Sequence, residues 1–135
     1  MTVQSLDHVA IRSARWQALR DWYVEVLGLE DGPRPDFPFP GAWLYANGRA
    51  VVHLIGVEVQ PDAPEAALRL EHCAFRGRGL ADFLARLDRL GIARQVVRLP
   101  PGAGGAVLVN LHDPDGNHVH VDFDPDEAGQ AAPAG

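Results

Sequence analysis

The chain has 135 residues, of which 47% are hydrophobic and 22% charged, as expected for one soluble globular domain. Its net charge is −6 and its 12 basic residues are scattered, which disfavours partners such as nucleic acid or anionic membrane surfaces and favours a small molecule. No apolar run is long enough to cross a membrane, no secretory signal is visible, and the single Cys73 is typical of a cytoplasmic protein.

The first half of the chain predicts a strand, a helix and about three further strands. In residues 6–12, apolar side chains alternate with polar ones, as in a strand. A helix follows, with apolar residues three or four positions apart, and Gly28 suits its left-handed cap. The four prolines of segment 31–40 predict a loop or an edge strand. Asn47-Gly48 then predicts the turn of a hairpin.

The second half repeats this order. Leu-Asp-His-Val-Ala-Ile-Arg at 6–12 recurs 64 positions later as Leu-Glu-His-Cys-Ala-Phe-Arg at 70–76. A second amphipathic helix ends at Gly91, and another hairpin spans 106–123. The predicted organisation is a first module at about 4–56, a linker at about 57–68, a second module at about 69–123, and a frayed tail at 124–135.

Four histidines occupy equivalent positions in the two halves. His8 and His72 lie early in the first strand of each half, and His53 and His120 lie in the last. A lone histidine on a strand is more often solvated or a hydrogen-bonded core residue, and repetition alone could retain such a pair. Four at matching positions favour a divalent metal site, because neutral imidazole is a common metal ligand.

The chain resembles the vicinal oxygen chelate superfamily, also called the glyoxalase/bleomycin resistance/dioxygenase superfamily. The resemblance implies an α+β fold with two tandem βαβββ modules, which form a cupped eight-stranded mixed sheet with helices on its outer face. It also implies a divalent ion, with His8, His53, His72 and His120 as its ligands. The segments that carry the resemblance are Leu-Asp-His-Val-Ala-Ile (6–11), Trp-Tyr-Val-Glu-Val-Leu-Gly-Leu (22–29), Phe-Pro-Gly-Ala-Trp-Leu-Tyr (39–45), Val-His-Leu-Ile (52–55), Glu-His-Cys-Ala-Phe-Arg (71–76) and His-Asp-Pro-Asp-Gly-Asn (112–117).

The last strand departs from the family pattern. The position three residues after Asn117, where the family usually has a glutamate ligand, is His120 in this chain. Asp122 lies on the same strand face and is the alternative ligand. The choice bears on the reaction, because the ring-cleaving dioxygenases use two histidines and one carboxylate around Fe(II).

Three functions follow from the resemblance. The first is a lyase or isomerase in which one Zn, Ni, Co, Fe or Mn ion chelates adjacent substrate oxygens. The second is an Fe(II) or Mn(II) dioxygenase of catechol-like substrates, with Asp122 as the carboxylate ligand. The third is a non-catalytic binding or resistance protein, although such relatives typically lack metal ligands. The resemblance also favours a homodimer.

Other polar and aromatic residues are candidates for substrate contact. For the lyase or isomerase, we predict that His120 or His118 transfers a proton. Arg12 and Arg76 could bind a substrate carboxylate or phosphate, or form salt bridges at the rim. Two aromatic residues could line the pocket, although packing also accounts for the first of them: Trp43 and Tyr45.

Overall fold

The computed structural model describes residues 2–130. The chain forms two compact units, Met1–Ala63 and Pro64–Gly135, and each is described by itself. No helix in the described part of the chain is long and apolar enough to span a bilayer. The elements of the first unit are β1 (Val9–Ser13), α1 (Trp16–Glu25), β2 (Glu30–Gly32), β3 (Gly41–Ala46) and β4 (Arg49–Gly56).

The second unit repeats this order, with short 3-10 helices added at Glu65–Ala67, Pro101–Ala103 and Pro125–Gln130. Its main elements are β5 (Cys73–Arg76), α2 (Leu80–Leu90), β6 (Gln95–Arg98), β7 (Val107–His112) and β8 (His118–Phe123).

Each unit contains one four-stranded mixed sheet. The strand orders are β1-β4-β3-β2 and β5-β8-β7-β6. The first strand of each unit pairs in parallel with the last, and the remaining pairs are antiparallel. The predicted α+β fold of two βαβββ modules is therefore confirmed.

The alternation of side chains separates a core face from a polar face in each sheet. In the first unit, Val52 and Leu54 of β4 are buried on the same side as Leu19 and Tyr23 of α1, all at 1% exposure or less. Between them in the sequence, His53 points to the opposite face. In the second unit, Phe83 of α2 packs against Phe123 of β8, with ring centroids 5.6 Å apart, and these buried faces direct the polar residues between them away from the helix.

The turn signals in the sequence have the predicted backbone geometry. Gly28 and Gly91 follow the two helices with φ of 77° and 68°, in the left-handed region where glycine has no Cβ penalty. Asn47 and Gly48 join β3 to β4 with φ of 54° and 78°, as a two-residue hairpin turn requires.

The tail differs from the frayed segment predicted from residue 124 onwards. Pro125–Gln130 forms a 3-10 helix, and the remainder of the predicted tail, 131–135, lies outside the described residues. The Oε1 atom of Glu127 accepts hydrogen bonds from the backbone N–H groups of Gly79 and Leu80, at 3.0 and 2.9 Å. These donors lie at the start of α2, where N–H groups have no partner within the helix. Glu127 therefore connects this segment to α2, through a carboxylate that a search for apolar periodicity does not detect.

Replacing Glu127 with Ala should reduce the free energy of unfolding by about 1 kcal/mol, the usual contribution of a helix N-terminal cap. Urea denaturation of the purified variant measures this change. Asp126→Ala is the matched control, because Asp126 is an exposed neighbouring carboxylate. Equal stability of the two variants would contradict the capping role.

Candidate metal centre

The polar face of the first sheet contains one of the two predicted histidine pairs. His53 of β4 is in register with Ala10 of β1, and His8 directly precedes β1. The His8 and His53 rings stack with centroids 3.8 Å apart, and Trp43 stacks on His53 at 4.0 Å. Because the rings of His8 and Trp43 cannot both stack on the same face of His53 at these distances, the His53 ring lies between them. The pair borders a cavity of about 540 Å³ that also contacts Asp7 and Arg49.

The hydrogen bonds of this pair leave one nitrogen of each ring available. Asp7 accepts a hydrogen bond from Nδ1 of His8 at 2.7 Å, which leaves Nε2. His53 donates through Nε2 to the carbonyl oxygen of Ala50 at 3.2 Å, which leaves Nδ1. Partial burial, followed by the charge on His8, lowers the pKa of His53. A lowered pKa favours the neutral imidazole that a metal ion requires.

The second sheet contains the equivalent pair. His120 of β8 is in register with Ala74 of β5, as His53 is with Ala10, and His72 directly precedes β5. The His72 and His120 rings have centroids 4.4 Å apart, and His120 is 8% exposed. Asp122 accepts a hydrogen bond from Nδ1 of His120 at 2.5 Å. Both rings border a cavity of about 620 Å³.

Glu71 connects two histidines through its two carboxylate oxygens. One oxygen accepts a hydrogen bond from Nδ1 of His72, and the other lies 2.9 Å from Nδ1 of His118. These hydrogen bonds, first from His72 and then from His118, lower the pKa of Glu71, so this carboxylate is ionised at neutral pH. Ligand atoms of the three residues all lie within 4.8 Å of one another, close enough to hold an ion.

The donor set fits a divalent metal. His8, His72 and His120 each direct Nδ1 to a carboxylate, which leaves Nε2 as the free nitrogen of each ring. Metal-binding histidines commonly have their second nitrogen held in this way, which fixes the tautomer and makes the ligand more basic. Asp122 is the carboxylate that holds Nδ1 in this way beside His120.

His118 is held at both ring nitrogens. Nε2 lies 2.8 Å from Oδ1 of Asn110, whose Nδ2 donates to the carbonyl oxygen of Gln95 at 3.3 Å. Sequence reasoning missed Asn110, and it also missed Asp7 and Glu71. Those two could have been found, since an acidic residue directly precedes the first histidine in both halves.

The predicted substrate residues are divided. Trp43 lines the first cavity, whereas the hydroxyl of Tyr45 donates to the carbonyl oxygen of Pro33 at 2.5 Å and Tyr45 is outside that lining. Arg12 and Arg76 are exposed on β1 and β5 and line neither cavity.

Two arginines that the sequence did not single out line the cavities instead. Arg49 borders the first cavity and Arg94 the second. Arg49 lies 3.5 Å from Asp7 and Arg94 lies 2.5 Å from Asp88, so both already have an acidic neighbour.

A reaction is named for one similar protein of known sequence. Biphenyl-2,3-diol 1,2-dioxygenase 2 of Rhodococcus globerulus is 30% identical over 90% of this chain, and this chain covers 65% of that protein's length.

Solved structures have a similar fold, and the sequence of this chain matches the pattern of a protein family. A glyoxalase family protein of Bacillus anthracis is 21% identical, with a TM-score of 0.73, and the match covers 92% of this chain and 98% of that one. A lactoylglutathione lyase of Agrobacterium tumefaciens is also 21% identical, with a TM-score of 0.64, and the match covers 95% of this chain and 99% of that one. Because residues 5–121 match its sequence pattern, this chain belongs to the Glyoxalase/Bleomycin resistance protein/Dioxygenase superfamily.

Proposed function

We propose that this chain is a metal-dependent enzyme of the lyase or isomerase type, acting on a small substrate with two adjacent oxygen atoms. The observation that supports this function best is the pairing of imidazole with carboxylate in both units, at His8, His72 and His120. Carboxylates placed behind imidazoles are typical of metal ligands and are not needed for packing.

Each unit would supply one pair of histidine ligands for a divalent metal ion. These are His8 and His53 in the first unit and His72 and His120 in the second. A bound ion would act as a Lewis acid toward the substrate oxygens. Because Asp122 is hydrogen-bonded to His120, we assign His120 as the last-strand ligand and Asp122 as the residue that orients it.

We propose that His118 transfers the proton. The Asn110 side-chain amide donates to Gln95 and therefore presents its oxygen to His118. This oxygen accepts from Nε2 of His118, so in the neutral form of the ring the hydrogen is on Nε2; Nδ1, which otherwise donates to Glu71, would then accept a proton from a substrate carbon. Glu71, 2.9 Å from Nδ1, would stabilise the imidazolium that forms. Because the Glu71 side chain is 65% exposed, it can move aside as the substrate enters.

Metal analysis and proton exchange test this function together. Purified protein should contain a divalent metal. The metal-loaded protein should catalyse the exchange of solvent deuterium into α-hydroxycarbonyl compounds at the carbon next to the carbonyl group, and NMR measures this exchange. Asn110→Ala should slow exchange about 10-fold to 100-fold while leaving the metal content unchanged, because it removes only the partner that fixes the His118 tautomer. Protein that contains no metal and takes up none would favour the non-catalytic binding function instead.

A ring-cleaving dioxygenase is the second candidate, favoured by the relative that is named as a biphenyl-2,3-diol dioxygenase. Two carboxylates lie beside the histidines of the second unit, Asp122 and Glu71. Either could complete a site of two histidines and one carboxylate. Oxygen uptake with an aromatic diol after anaerobic Fe(II) loading would support this reaction. If only one of the variants Asp122→Asn and Glu71→Gln loses oxygen uptake, the carboxylate replaced in that variant is the ligand. The homodimer and the cytoplasmic location stay predictions.

A further inference from the structure

The lining of the second cavity changes from polar to apolar along strands β6 and β7. Gln95 and Asn110 are cross-strand partners near the β7–β8 turn, and Val97 and Leu108 are the next pair on the same face. All four residues line the cavity. Because side chains on one face of a strand recur at every second residue, the apolar pair lies ~7 Å along the strands from the polar pair.

Val97 and Leu108 face the cavity and are not part of the core. Leu108 lies between Val107 and Val109, which are both buried on the opposite face of β7. Val97 is 37% exposed. A single exposed valine is ordinary on a protein surface, but two cross-strand partners in the same cavity form a continuous apolar surface inside it.

This apolar surface lies next to the histidines of the second unit. Asn110 is the cross-strand partner of His120, and Leu108 is the partner of Asp122, which accepts the hydrogen bond from His120. Val97 follows Leu108 one strand further across the sheet, in the order β8-β7-β6. A molecule bound at His120 that extends away from the β7–β8 turn would therefore contact Leu108 first and then Val97.

We propose that Val97 and Leu108 form a subsite for an alkyl substituent of the substrate. The proposal rests on the proposed function, because that function places the two substrate oxygens at the histidines. The polar end of the cavity would bind the oxygenated head group, and the alkyl chain would cover the apolar pair and remove it from water. The favoured substrates are α-hydroxycarbonyl compounds with an extended alkyl chain.

Equilibrium binding of two ligands tests this subsite without depending on turnover. Hydroxyacetone and its homologue with a pentyl group in place of the methyl group would be titrated into the purified protein with Zn(II) present, and ligand-observed NMR would give both dissociation constants. A fully buried methylene strengthens binding about fourfold, and a half-covered one about twofold. The added methylenes should together make the pentyl compound bind at least about tenfold more tightly.

Val97→Thr and Val96→Thr are a matched pair of variants for this measurement. Threonine keeps the β-branched shape that suits a strand and exchanges one methyl group for a hydroxyl group. At Val97 the hydroxyl would face the alkyl chain, so the preference for the pentyl compound should fall at least about threefold. Val96 is an exposed neighbour on β6 that does not line the cavity, and Val96→Thr should keep the wild-type preference.

The outcomes separate the subsite from the proposed function, because NMR of the same samples also measures deuterium exchange. If Val97→Thr alone lowers the preference but neither compound exchanges deuterium, the subsite stands and the proposed reaction is wrong. If deuterium exchanges but the wild type binds both compounds equally, or the pentyl compound does not bind, the subsite does not exist. An unchanged preference in Val97→Thr, or an equal loss in Val96→Thr, would also overturn the subsite.

Discussion

Replacing His120 with Ala should lower the affinity of the proposed metal site at least about 100-fold, since even residues that only orient a ligand contribute about 10-fold to 100-fold. The residue is 8% exposed, and its Nε2 is the nitrogen that Asp122 leaves free. Competition with a chromophoric chelator measures the change for Zn(II) and Co(II). His72→Ala should give a loss of similar size, because the two rings lie side by side.

Asp122→Asn is the matched variant for this experiment. An asparagine oxygen can still accept the hydrogen bond from His120, so the expected loss is nearer tenfold than 100-fold. A loss in Asp122→Asn that equals or exceeds the loss in His120→Ala would make Asp122 the ligand. Full metal content in both His8→Ala and His72→Ala would show the proposed ligand set to be wrong.

Much of the fold could be predicted from the internal repeat. The matching segments at 6–12 and 70–76 fall at the first strands of two units with the same connectivity. Strand parity then places His53 and His120 on the face opposite the apolar core side chains beside them, because a strand has only two faces. The registers place the two histidines at equivalent positions, since Ala10 pairs with His53 and Ala74 with His120.

Contacts between side chains could not be predicted in the same way. Whether Asp122 is a ligand or orients His120 depends on rotamers, and strand parity places both on one face without deciding between them. The hydroxyl of Tyr45 donates a hydrogen bond to the carbonyl oxygen of Pro33, and the four prolines of this loop do not specify the conformation that brings the two together. Glu127 reaches the start of α2 from a segment with no apolar pattern. These details depend on distances of a few ångströms between residues far apart in the sequence.

Asp113 organises the turn that carries His112 and His118, and Asp113→Ala should reduce the free energy of unfolding by about 3 kcal/mol. Asp113 is 5% exposed. Its Oδ1 accepts from the backbone N–H groups of Asp115 and Asn117 at 3.0 and 2.9 Å, and its Oδ2 accepts from Nδ2 of Asn117 at 2.9 Å. Removing the carboxylate leaves three donors without this acceptor in a partly buried turn, and urea denaturation measures the resulting loss.

Asp113→Asn provides an intermediate case. Its oxygen can still accept from the two backbone N–H groups, whereas its amide nitrogen would face Nδ2 of Asn117, a second donor. The expected loss is therefore about half that of Asp113→Ala. If both variants lose less than about 0.5 kcal/mol, the turn is held by its backbone hydrogen bonds alone, from Asp113 to Asn117 and from Gly116 to Asp113. The carboxylate would then have no structural role, and the positions of His112 and His118 would not depend on it.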